Sequence, residues 1–162
     1  MLKQETRDVS SSAGSTVPLA SHLSLADVEA RIDAISEGGF EAKAAAAELL
    51  ALGEQAVERW IEARGEIATN EKKEGFRILA LHRQGAKGEP SFNACRETCR
   101  ELVYHYNLVM VDGSKSDTDR HVRFAAMVAK HLCLFISGKL QVAGLGEFCC
   151  AAKPLRAGGT DM

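Results

Sequence analysis

Six cysteines and histidines, residues that can ligate a metal or exchange a proton, lie between positions 91 and 137: Cys95, Cys99, His105, His121, His131 and Cys133. Thiolates and imidazoles build zinc-type centres when about four of them converge, and an activated thiol or histidine can serve catalysis. Helix geometry weighs against convergence. At about 100° per residue, Cys95, Cys99, Leu102 and Tyr106 share a sector of about 60°, the stripe a helix turns towards a core. Phe92 and Met110 extend that stripe. His105 points about 120° away from Cys99, too far round to join both thiols at one ion. Cys-x-x-x-Cys also lacks the tight-turn spacing of zinc knuckles. Two histidines ten residues apart, His121 and His131, do not chelate from one straight helix. The expected role of the thiols is therefore packing, with no metal and no cofactor. A metal-binding alternative would have to draw on Cys95, Cys99, His131 and Cys133, helped by Cys149 and Cys150.

Basic residues suggest a second chemistry. Arg96 and Arg100 lie one turn apart, and His121 and Arg123 open the next helical stretch. Together these four form the expected anion- or partner-binding set. The competing reading for the arginines is a solvated, salt-bridged face shared with Glu97 and Glu101. No nucleophile elbow, zinc-protease helix, phosphate-binding loop or dinucleotide fingerprint occurs, so no catalytic residue is assigned.

The elements that must position these groups are helices. Ala and Leu abound and aromatic residues are only 6%, which favours packed helices over strands. Ser24 and Asp27 form a capping-box start for a first helix carrying Leu25, Val28, Ile32 and Ile35, closed by Gly38-Gly39. A second helix is expected from Glu41 to Leu52, stopped at Gly53, and a third from Glu54 to Arg64, the two forming a hairpin. A fourth runs from Glu71 to Gln84, although Phe76 to Leu81 could also be a strand. A fifth runs from Ser91 to Val109. The sixth is capped by Ser116 with Asp119 and ends at Ser137, before Gly138. Residues 140–150 read as a small hairpin or a further helical turn. The expected fold is thus mainly α, a single-domain bundle of five to six helices. Leu49–Leu52 and Ile78–Leu81 hint at the alternative, short HEAT-like helical pairs.

The domain should occupy residues 22–153, between tails at 1–21 and 154–162 that are too polar or glycine-rich to pack. The first 63 residues hold eleven acids and five bases, and the remainder eleven acids and fifteen bases. Acidic and basic faces packed side by side account for this better than a nucleic-acid surface, since no long run of like charge occurs. No apolar stretch is long enough for a membrane span, and an odd five cysteines suggest reduced thiols in the cytoplasm. These features favour a cytoplasmic helical protein that acts through a protein partner, or as a homodimer, without catalysis. The alternative is a small-molecule or metal-binding protein, even an enzyme, using the Cys and His residues of the fifth and sixth helices.

Overall fold

Ser24 starts the first helix as its sequence requires. Its Oγ accepts the Asp27 backbone N–H at 3.1 Å, and α1 runs Leu25–Ser36 before the left-handed Gly38 and Gly39 turn the chain. The computed structural model describes residues 23–87, 95–111 and 113–145. Four further helices follow: α2 (Ala42–Ala63), α3 (Arg77–Gly85), α4 (Arg96–Met110) and α5 (Lys115–Ala143). Among the described residues there is no strand beyond one isolated bridge, Lys73 to Phe76. The expected tails, the segment 91–94 and residues 146–150 lie outside the described residues.

The expected second and third helices are one. α2 continues for 22 residues straight through Gly53. A methyl group at Gly53 would sit 2.6 Å from Leu102 Cδ2, 3.2 Å from Ile78 Cδ1 and 3.7 Å from Leu132 Cδ2. This glycine therefore does not end a helix. It lets α3, α4 and α5 approach the backbone of α2, and that gain outweighs its poor helix propensity of about 1 kcal/mol.

Other boundaries shift for equally local reasons. α3 begins six residues later than expected, because Glu74 and Gly75 both adopt positive φ and form a turn before Phe76. Phe76 to Leu81 is not a strand: Phe76 is the N-cap and Arg77 onward is helical. α5 is capped by Ser114 rather than Ser116. The Ser-x-x-Asp frame occurs twice, and the earlier copy, Ser114 with Asp117, adds half a turn of helix. At its other end α5 passes through Gly138 to Ala143, where Gly144 supplies the left-handed cap. Leu140 to Ala143 are helical, so the expected hairpin has no first strand. Nor do the two Leu-Ala-Leu segments occupy equivalent places, one lying in mid-α2 and the other opening α3.

α5 packs against α1, α2 and α4, while α3 sits on α2 and α4. Trp60, Leu102, Val128 and Leu132 are buried in one core, as their stripes require. Tyr106 and Phe135 are only half-buried, packed on its edge. Polar ties close the seams. Buried Glu58 pairs with Arg77, which also donates to Thr69 O at 2.9 Å. Trp60 Nε1 donates to Gly85 O at 3.1 Å, and Lys130 reaches Asp33 at 2.8 Å and Glu29 at 3.8 Å. Acidic α1 thus lies against a base of α5.

Gly53→Ala is expected to lower stability by about 1 kcal/mol in urea unfolding. Crowding costs of about 1–3 kcal/mol should outweigh the helix-propensity gain of about 1 kcal/mol. A net gain would contradict the close crossing.

Candidate docking face

A run of 25 residues from Arg120 to Gly144 contains no acid. Within it, Arg120, Phe124, Met127, His131, Leu134, Gly138 and Val142 recur at intervals of three and four, which places them on one side of α5. All seven are exposed. The apolar members are open to solvent: Phe124 40%, Met127 65%, Leu134 48% and Val142 90%. At 1.5 Å per residue the face is about 33 Å long. Its cause is geometric. Among the described residues, this 29-residue helix has neighbours on three sides, α1, α2 and α4, and none on the fourth.

Gly138 lies within this face. A methyl group there would meet nothing within 4 Å, so no packing among the described residues explains a glycine that costs about 0.5–1 kcal/mol in a helix interior. Gly53 and Gly138 are opposites in this respect: one makes room for the chain's own core, the other leaves an open notch on its surface.

Two histidines close the head of the face. His105 Nδ1 on α4 and His121 Nδ1 on α5 are 3.2 Å apart, with ring centroids 5.4 Å apart. That centroid separation is the nitrogen distance plus about one ring radius at each end, so the nitrogens face each other nearly head-on. One proton fits between them, donated by one ring and accepted by the other. Glu101 Oε1 lies 3.8 Å from His105 Nε2, and Phe124 stands against both rings at 5.4 and 6.3 Å. Tyr104, also exposed, meets the edge of His105 at 5.3 Å and carries the aromatic surface onto α4. The His105 pKa is lowered, first by burial and then by the facing His121, against an opposing pull from Glu101.

The expected site residues fall in different places. Of the anion- or partner-binding set, Arg100 pairs with Glu74 at 3.2 Å, His121 faces His105, and Arg96 is exposed. Arg123 lines a groove of about 860 Å³ with Phe40, Glu41 and Asp119. The helix starts beside that groove are already capped by the chain's own Glu41 and Ser114. Among the described residues, no contact unites the four. Of the metal alternative, Cys149 and Cys150 lie outside the described residues. Cys95, Cys99 and Cys133 are buried free thiols, whereas His131 is exposed on the α5 face. Cys133 Sγ donates to Leu25 O at 3.4 Å. Burial is the main cause that pushes Cys95 up to about 12 and Cys133 to about 11, and it raises Cys99 as well. Such thiols supply little thiolate for attack. Among the described residues, no group of three or more His, Cys, Asp or Glu side chains is arranged to hold a metal ion, and no helix is long and apolar enough to cross a membrane.

The His105–His121 pair was not anticipated from sequence. A signal existed: the two lie eight residues before and after Gly113, so a tight hairpin between α4 and α5 brings them level. Compared with protein-family models, curated proteins and solved structures, the chain matches none of them.

Because the folded chain binds the His105 proton less readily than the unfolded chain, stability rises with pH across the titration. The contribution is fully present above pH ~6.5 and is lost as pH falls from there through the lowered folded value. Urea midpoints should therefore drop between about pH 7.5 and about pH 5.5, and His105→Gln should flatten much of that drop. An unchanged slope in the variant would contradict the assignment.

Proposed function

We propose that this chain is a cytoplasmic protein-interaction module, without catalysis of its own, that docks its partner on the exposed face of α5. The observation that carries this reading is the continuity of that face. Phe124, Met127, Leu134 and Val142 stand in line, exposed, on a segment from which acids are absent. Contiguous exposed apolar surface on a water-facing helix carries a cost that a partner removes. Exposed Tyr104, edge-on to the His105 ring that Phe124 also meets, enlarges the anchor at one end, and aromatic residues are the side chains interfaces rely on most. The high thiol pKa values and the engagement of Arg100 and His121 with groups of the same chain support a non-catalytic role.

A photoreactive benzoyl-phenylalanine placed at Met127 tests the reading in cells, with Ile67, 91% exposed in the α2–α3 connection, as the control position. Position 127 should give one discrete cross-linked adduct and position 67 none. Adducts absent from both positions, or equal at the two, would contradict a docking role for α5.

A further inference from the structure

We propose that the facing histidines are a pH-sensitive latch tying the start of α5 to α4, closed while the pair holds at most one extra proton and opened by a second. The segment behind the latch has little else to hold it. None of residues 115–121 is buried, and Val122 is the first buried residue of α5. The polar side-chain contacts described for residues 114–120 stay within that segment. Ser114 meets Ser116 and Asp117, Thr118 donates to the carbonyls of Ser114 and Lys115, and Arg120 pairs with Asp117. Half-buried His121 reaches out of it, to His105 at 3.2 Å. About two turns of helix with so few buried contacts open at low cost.

The proton inventory of the pair makes the tie sensitive to pH. Glu101 Oε1, 3.8 Å from His105 Nε2, favours the tautomer with the proton on that nitrogen, which leaves His105 Nδ1 bare. His121 Nδ1–H then donates into the gap, and His121 Nε2 is the free acceptor. A first added proton goes to His121 Nε2, outside the gap, and turns the contact into a stronger, charge-assisted hydrogen bond. A second can only go to His105 Nδ1. Two N–H groups and two positive charges then meet across 3.2 Å, so the contact breaks and His121 moves out to water. The groups acting on the His105 charge are His121 of α5 and Glu101 of α4. α2 and α3, which also pack on α4, contribute none among the described residues. Asp117, one turn before His121, is engaged with Arg120. Burial and His121 outweigh Glu101, which makes the second proton the harder one to add. The latch stands apart from the docking role, although Phe124 packs against both rings.

Ring nitrogen-15 NMR and amide hydrogen exchange on the full chain test the latch between about pH 7.5 and about pH 5. The rings should titrate in separate steps, His121 first and His105 last. As His105 titrates, amides 118–121, corrected for intrinsic rates, should exchange about tenfold faster or more while amides 128–136 stay protected. His105→Asn keeps an acceptor oxygen in place of Nδ1 but takes no proton, so amides 118–121 should stay protected down to about pH 5. His121→Ala removes both the tie and the opposing charge. In that variant amides 118–121 should exchange fast across the range, and His105 should take its proton at higher pH than in the unaltered chain. Rings that titrate together, protection of amides 118–121 that ignores pH, or the same acceleration in His105→Asn would each overturn the inference.

Discussion

The close approach of three helices to the backbone of α2 at Gly53 is the constraint on which the rest of the structure depends. Leu102, Ile78 and Leu132 come from α4, α3 and α5, and each reaches the place a side chain would otherwise fill. Interiors pack at near-crystalline density, so a contact this tight fixes where the surrounding helices can lie. α2 is long because the crossing is in its middle, and Trp60 and Ile61 then extend the core beyond it. With Leu132 pinned there, α5 is held through its central turns, and α1 and α4 close its flanks. What remains is the outward side of α5. Its exposure follows from the packing.

Polar groups reinforce this arrangement rather than create it. The Glu58–Arg77 pair and the Trp60–Gly85 bond lock α3 onto α2, while Lys130 with Asp33 and Glu29 joins α1 to α5. Removing one partner of a buried pair is costly because the other is left uncompensated, so Glu58 and Arg77 depend on each other. The histidine pair differs in kind. It sits at the margin of the core, beside Phe124, where one seam of the bundle meets the exposed face. His105, whose proton affinity burial lowers, is thus coupled by contact to the first apolar anchor of that face.

Sequence periodicity conveyed the helical class, the capped start of α1 and the inward turn of Cys95, Cys99 and Leu102. It failed where a residue's local preference and its tertiary use diverge. Gly53 and Gly138 both read as helix stops, and both are helical, one because its neighbours demand the space and the other within an open surface. Ser116 and Ser114 offer the same capping pattern, and only the tertiary position of the α4–α5 turn separates them. The chemistry-bearing residues between positions 91 and 137 were visible from the start, yet their pairing was not. Helix angles within one element correctly kept His105 apart from the cysteines, but the approach of His121 depends on how two elements meet.

The central claim is that packing about Gly53 leaves the outward side of α5 outside the core, and the cost of a charge on that side measures it most directly. Met127, 65% exposed, stands in the middle of the face. The account predicts that Met127→Glu changes the stability measured by urea unfolding by no more than about 0.5 kcal/mol. A loss of about 2 kcal/mol or more would contradict it, because the side chain would then belong to the core.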